Sequence, residues 1–226
     1  MPTYFIVAGE STETLERVKI IIKEFLKERG LELSDEKTVI TNIETGFDFL
    51  GWNFRKYNKK LIIKPNKKSI QGIKKKISDT IKENIAGKQE DLIKQLNPII
   101  LGWSTYNQNV CSKKIFHKLD DFTFKQLYNW ALKRHRNKGK RWVINKYWHK
   151  EKSRNWIFGE NNRVLRLFSD TPIIRHYWIN TSKNPYTDET YFENLKLKQK
   201  AKKYYRIKET VAFDFMQSNK LNVLEA

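Results

Sequence analysis

The chain has 226 residues, 39% of them hydrophobic, enough to bury the core of one large domain or of two or three small ones, and its 45 Lys and Arg against 25 Asp and Glu give a net charge of +20. That imbalance, with a pI near 9.8, points to a polyanionic partner, and no apolar run approaches the ~18 residues needed to span a bilayer. A single cysteine, Cys111, excludes an internal disulfide framework, and His117, His135, His149 and His176 lack zinc-ligand spacing, so neither a metal site nor a cofactor is expected.

The N-terminal stretch MPTYFIVAGESTE lacks the basic-then-apolar layout of a secretory signal, which makes a cytoplasmic location the expectation. Tyr4 to Ala8 is a short apolar run ended by Gly9 and predicts a strand. Ser11 can cap a following helix whose stripe of Leu15, Val18, Ile22, Phe25 and Leu26 runs to a stop at Gly30 and would cover one face of a sheet. Lys37 to Thr41 predicts a second strand, and Gly46 to Asn53 followed by Lys60 to Lys64 a hairpin turned near Tyr57-Asn58-Lys59, with Gly51 breaking the alternation as a bulge would. The resulting β-α-β-β order opens on a strand with nothing before it to pair with, so the chain reads as truncated.

From Pro65 the period becomes helical. Ile70, Ile73, Ile77, Ile81 and Ile85 make one stripe, while Lys67, Lys68, Lys74, Lys75, Lys76 and Lys82 mostly face away from it. A second helix is capped near Gly87 and runs through Leu92, Ile93, Leu96, Ile99, Ile100, Trp103 and Tyr106, with Pro98 expected to bend or break it. A third starts near Ser112 and carries Ile115, Leu119, Phe122, Leu127, Trp130 and Ala131, completing a small bundle. Beyond Gly159 the pattern weakens: Leu165, Phe168, Ile173, Ile174 and Trp178 are apolar, Asn184-Pro185-Tyr186 is turn chemistry, and Asn194 to Arg206 predicts a lysine-rich helix. The fold class expected is α+β, divided into residues 1–64, a mainly helical 65–150, a basic 151–206 and a tail 207–226.

Charge is distributed along the same division. Residues 1–50 hold 6 Lys and Arg against 10 Asp and Glu, residues 51–150 hold 25 against 6, and residues 151–226 hold 14 against 9. The middle hundred residues, at +19, are the expected electrostatic footprint. Within them RHRNKGKRWVINKYWHK, residues 134–150, has seven Lys and Arg, no carboxylate, and Trp142, Tyr147 and Trp148 between the cations. Phosphates held by the cations and unpaired bases stacked on the rings would use that composition fully.

Several segments together carry a family resemblance. Phe5-Ile6-Val7-Ala8-Gly9-Glu10-Ser11, Gly30-Leu31-Glu32-Leu33-Ser34-Asp35-Glu36-Lys37-Thr38 and Gly46-Phe47-Asp48-Phe49-Leu50-Gly51-Trp52 resemble the second half of the palm of bacterial group II intron reverse transcriptase/maturases. Leu96-Asn97-Pro98-Ile99-Ile100 with Gly102-Trp103, Leu119-Asp120, Trp130, Arg134-His135 and Asn184-Pro185-Tyr186 resemble the thumb and maturase-specific region of that family, so the likeness spans roughly residues 4–195. It implies a truncated palm remnant followed by a helical thumb and maturase bundle, and a partner in structured group II intron RNA, whose folding and splicing such proteins assist.

The departures matter as much. Directly before the phenylalanine that Phe5 matches, the family places the two aspartates of a tyrosine-x-aspartate-aspartate motif; here Thr3 and Tyr4 occupy those positions and cannot hold the divalent ions of a polymerase. The fingers and first palm carboxylate would lie upstream of Met1, and the CxxC pairs of the family's endonuclease are missing, so no polymerase or nuclease activity is expected of the chain alone. Leu101 stands where the family commonly has arginine. Phe49-Leu50-Gly51-Trp52 resembles the primer-gripping hairpin of reverse transcriptases, with a structural role expected here.

The candidate RNA-binding residues are Lys67, Lys68, Lys74, Lys75 and Lys76 on the first basic helix, then Arg134, Arg136, Lys138, Lys140 and Arg141 with Trp142, Tyr147 and Trp148, and finally Arg163, Arg166 and Arg175. Trp103, Trp130 and Tyr106 lie on apolar stripes and read as core; Trp142, Tyr147 and Trp148 read equally as core or as stacking surface. Ordinary surface or core positions suit His135 and His176. Three readings stay open: an RNA-binding maturase segment, an inactive remnant of a truncated intron gene, or one half of a polymerase whose N-terminal half is separately encoded.

Overall fold

The computed structural model describes residues 5–151, 154–160, 163–174, 179–180, 182–184 and 186–198. Contacts divide the chain into two units, Met1–Ile173 and Ile174–Ala226. In the second, the described residues include helical turns over 189–198, where Asp188 accepts from the Asn184 N–H at 3.0 Å. The expected tail 207–226 and the end of the lysine-rich helix lie outside the described residues.

The first unit opens with helix α1 (Thr12–Lys27), begun as the sequence predicts: the Ser11 hydroxyl accepts from the Thr14 N–H at 3.2 Å. It closes in a Schellman pattern, Leu31 N–H to Leu26 C=O at 3.0 Å and Gly30 N–H to Lys27 C=O at 3.1 Å, with Gly30 at φ +68°. No α1 residue is buried; Ile21 is 62% and Phe25 53% exposed. The strands expected on either side are not formed. Residues 5–9 have no regular structure, and the 3-10 turn Asp35–Lys37 leads into an irregular segment in which Val39 is 74% exposed. β propensity without a neighbouring strand leaves backbone N–H and C=O groups unpaired, and no strand results. The observed order is therefore α-β-β-β in place of β-α-β-β.

Strands β1 (Phe47–Phe49), β2 (Trp52–Tyr57) and β3 (Lys60–Pro65) form an antiparallel meander. Both connections are two-residue turns with positive φ throughout, Leu50 at 46° and Gly51 at 83°, then Asn58 at 42° and Lys59 at 67°, the backbone twist that matches paired strands. Gly51 is thus the second residue of a turn, and the single strand expected over 46–53 is two strands. The first turn is fastened to the helices: Tyr106 donates its hydroxyl to the Leu50 carbonyl at 2.6 Å, Trp52 stacks on Tyr106 at 5.0 Å, and the Trp52 indole N–H donates to Asn107 Oδ1 at 2.9 Å.

Helices α2 (Lys67–Glu83), α3 (Gln89–Tyr106) and α4 (Lys113–Arg134) build the core. Asn66 caps α2 by accepting from the Ser69 N–H at 2.8 Å, and Ile73, Ile77 and Ile81 are buried as their spacing predicts. Helix α3 continues through Pro98. A proline in a helix interior costs ~3 kcal/mol, whereas the buried Leu92, Ile93, Leu96 and Ile100 each contribute ~1.5–3 kcal/mol, so burial outweighs the lost hydrogen bond. Trp130 on α4 is buried and its indole N–H donates to the Asn84 carbonyl at 2.9 Å, joining the end of α4 to the end of α2.

Helix α5 (Lys140–Tyr147) runs directly into a second antiparallel sheet, β4 (Trp148–Glu151), β5 (Arg154–Glu160) and β6 (Arg163–Val164), which the sequence did not predict. Trp148 and Phe158 pair across it and close the core against Trp130 and Tyr147. Two side chains from the bundle hold the segment beyond Arg163. Asn97 accepts from the Arg166 N–H at 2.9 Å and donates to the Val164 carbonyl at 3.0 Å, and Asp120 accepts from the N–H groups of Phe168 at 2.7 Å and Ser169 at 3.1 Å. The 3-10 turn Phe168–Asp170 is thereby set with Phe168 fully inside, against Trp103 and Phe116.

Candidate nucleic-acid interface

The buried isoleucines of α2 fix which of its lysines face outward. Lys68, Lys75 and Lys82 recur every seven residues on the side opposite Ile73 and Ile77, and all three are exposed, a ridge with steps of ~10 Å along the helix. Lys67 is exposed beside it, and Lys74 is half-buried with Nζ 5.1 Å from the centre of the Phe122 ring. Lys75 and Lys76 border a shallow groove whose other walls include Asp79 and Glu83, so cationic charge there is partly offset. Long side chains anchored along their stems with free ammonium ends suit phosphate contact.

The second cluster lies at the end of α4, in the turn after it and on α5. Arg136, Lys138, Lys140 and Arg141 are exposed, without a carboxylate partner among the described residues. Trp142 is 41% exposed, with Lys138 Nζ at 5.4 Å and Lys146 Nζ at 5.1 Å from its ring centre and the His135 ring edge-on at 4.9 Å. An indole flanked by ammonium groups offers a flat surface next to phosphate ligands. Lys146, which the charge pattern alone did not single out, belongs to this cluster; its place one turn after Trp142 is the signal that could have found it.

Three residues expected to meet RNA are committed elsewhere. Tyr147 and Trp148 are 4% and 5% exposed, enclosed by Trp130, Phe158 and Phe124, and have no free ring face for a base. Arg134 spreads its guanidinium over the Trp130 ring at 4.7 Å and donates to the carbonyls of Ile85 and Gly87, tying the α2–α3 connection to α4. His135 shares a hydrogen bond of 2.8 Å with the Tyr147 hydroxyl. Burial, and then the charges of Lys146, Arg134 and Lys138, hold its pKa below the ordinary value, which favours the neutral ring.

Of the remaining candidates, Arg163 pairs with Glu90 at 2.8 Å, Arg166 is exposed, and Arg175 lies outside the described residues, as do His176 and Trp178. Several residues that carried the family resemblance prove structural. Asn97 and Asp120 hold the backbone of residues 164–169, and the Trp103 indole N–H donates to Ser69 Oγ at 3.2 Å. Tyr106, read as core, is instead half-open and pinned to the β1–β2 turn. Phe49, Leu50, Gly51 and Trp52 form that turn and its flanks, with Leu50 and Leu101 exposed. Burial raises the Asp120 pKa in spite of the hydrogen bonds it accepts from Ser169 and Phe168. Among the described residues no helix is long and apolar enough to cross a membrane.

Residues 70–148 match the family model for the maturase-specific domain of group II introns. The match begins inside α2 and ends at the first residue of β4, so it takes in the α4–α5 cluster and the α2 lysines from Lys74 onward, with Lys67 and Lys68 just before it. A comparison with curated proteins finds no match.

Proposed function

We propose, for a chain whose residues 70–148 are a group II intron maturase-specific domain, that it binds structured group II intron RNA through the α2 ridge and the α4–α5 cluster and assists that RNA to reach its splicing fold. The observation that carries this reading is the coincidence of the family match with the basic part of the chain: residues 51–150 hold 25 Lys and Arg against 6 Asp and Glu. Neutralising phosphates releases condensed counterions, the main source of sequence-independent affinity for nucleic acid. Trp142 adds a base-stacking surface within the same cluster.

In this reading the RNA is the catalyst and the chain is not an enzyme on its own. Thr3 and Tyr4 stand where the resemblance to reverse transcriptases calls for metal-binding aspartates, and neither side chain can supply the carboxylates for two-metal nucleotide transfer. A separately encoded N-terminal reverse-transcriptase half is a second proposed partner. The open apolar side chains of α1, Phe25 on its stripe and Ile21 beside it, support it, because surface of this kind marks interaction sites.

The test is splicing. At a magnesium concentration too low for efficient self-splicing, stoichiometric chain should accelerate excision of its cognate group II intron and leave an unrelated RNA of equal length unchanged. No acceleration of any group II intron, with the chain folded, would point to the inactive-remnant reading.

A further inference from the structure

Trp156 is the least expected residue of the β4–β5–β6 sheet. It sits at φ +66°, a left-handed conformation rarely adopted by a bulky side chain, and 54% of it is exposed. The strand register explains its geometry. His149 pairs with Ile157 and Glu151 with Arg154, so Asn155 and Trp156 together oppose Lys150 alone, a bulge that turns the indole outward. No burial of the indole compensates for the strained backbone.

The indole forms one wall of an open hollow of about 500 Å³, whose other linings are Phe124, Tyr128 and Ile144. Phe124 and Tyr128, one turn apart on α4, lie parallel within 4° at 6.2 Å, and the Trp156 ring stands at 89° to Phe124 at 6.1 Å. Buried Trp148 backs both α4 rings at 5.5 and 6.3 Å and fixes their orientation. The Tyr128 hydroxyl makes no hydrogen bond among the described residues, which leaves one polar group at an otherwise apolar surface.

The surroundings are cationic. Lys140 and Arg141 lie one turn before Ile144 on α5, and Lys150 opposes the bulge; all three are exposed and none has a carboxylate partner among the described residues. An apolar segment of a protein partner would fill the hollow without using these charges. A flat aromatic ring joined to phosphates uses both.

We propose that the hollow between α4, α5 and β5 receives one unpaired nucleobase of the bound RNA, stacked on the Trp156 ring and standing at right angles to the Phe124 and Tyr128 rings, while Lys140, Arg141 and Lys150 hold the adjoining phosphates. This rests on the RNA-binding reading and adds to it a preference for unpaired bases, distinct from the phosphate affinity of the α2 ridge.

Trp156→Gly tests it. Glycine accepts the left-handed backbone without strain, so the variant should melt at or above the wild-type temperature while lacking the ring. Its affinity for an RNA hairpin with an unpaired loop should fall about tenfold or more, with affinity for a fully paired duplex of equal length unchanged within about twofold. Equal affinities of variant and wild type for the hairpin, or equal losses on hairpin and duplex, overturn the proposal. So does a variant that loses self-association but keeps its hairpin affinity, since a second copy of the chain would then be the occupant. If the wild-type chain binds neither RNA, the RNA reading fails first, and adenosine monophosphate then probes the hollow alone. At millimolar concentration it should quench part of the tryptophan fluorescence of the wild type, and not of Trp156→Gly, if the hollow accepts a base; equal quenching, or none, overturns the proposal in that case also.

Discussion

Replacing Asp120 with alanine should loosen the chain beyond β6 without touching either cationic cluster. The carboxylate accepts from two consecutive backbone N–H groups, of Phe168 at 2.7 Å and Ser169 at 3.1 Å. Hydrogen bonds to a charged acceptor contribute ~1.5–3 kcal/mol each, and the half-buried carboxylate gives part of that back in desolvation, as its raised pKa records, which leaves a net loss of ~2–3 kcal/mol. With a urea m-value of ~2–3 kcal/mol/M the unfolding midpoint should drop by ~1 M. pH supplies a second arm. Folding raises this pKa above its ordinary 3.8, so the proton-linked stability is fully present below that value and is lost as pH rises through the folded one. The stability gap between wild type and variant should therefore widen as the buffer is taken from neutral toward pH ~4. A variant within ~0.5 kcal/mol of wild type, or a gap that narrows on acidification, refutes the role assigned to Asp120.

Further consequences separate packed from open aromatic residues. Trp148→Ala should cost ~3–5 kcal/mol and abolish cooperative melting, because the side chain is buried against Phe158 and Tyr147, whereas Trp142→Ala should melt within ~0.5 kcal/mol of wild type yet bind RNA several-fold more weakly at an unchanged salt slope. Ile21→Asp in α1 should leave the chain's own unfolding midpoint unaltered, since that side chain is open, and should abolish capture of any N-terminal partner. His135 has its pKa lowered by folding, so its contribution is present above the unfolded value and is lost as pH falls through the folded one. His135→Gln should reduce the acid sensitivity of the thermal midpoint below pH ~6, read by circular dichroism across a pH series.

The bundle was legible because helices declare themselves locally. The i, i+4 run of Ile73, Ile77 and Ile81 and the Ser11 cap need no knowledge of distant residues, and both stand where the sequence put them. Strands were not legible in this way. Tyr4 to Ala8 has β propensity and no partner, while β4 to β6 are two to seven residues long, with His149, Lys150, Arg154 and Arg163 masking the alternation. Trp148, which the sequence leaves balanced between core and stacking surface, is buried for a related reason. Helix α5 becomes strand β4 between residues 147 and 148, and this change of direction lets two adjacent aromatic residues both reach the core, which no single period allows. Charge density then suggested stacking for side chains that the core had already claimed. Arg134 shows the converse, since nothing in its sequence neighbourhood announces that the Ile85 and Gly87 carbonyls need a donor.

RNA binding in this chain depends most on the outward lysines of α2 and the cations of α5 meeting phosphate, and one titration tests that directly. Affinity for a folded group II intron RNA would be measured by filter binding across a salt series, for the wild-type chain and for a variant with Lys68, Lys75, Lys82, Lys140 and Arg141 changed to alanine. The expected result is a steep linear fall of log affinity with log salt, and a slope shallower by ~0.7–0.9 for each phosphate contact removed. Superimposable lines for the two proteins, or a wild-type affinity indifferent to salt, would contradict it.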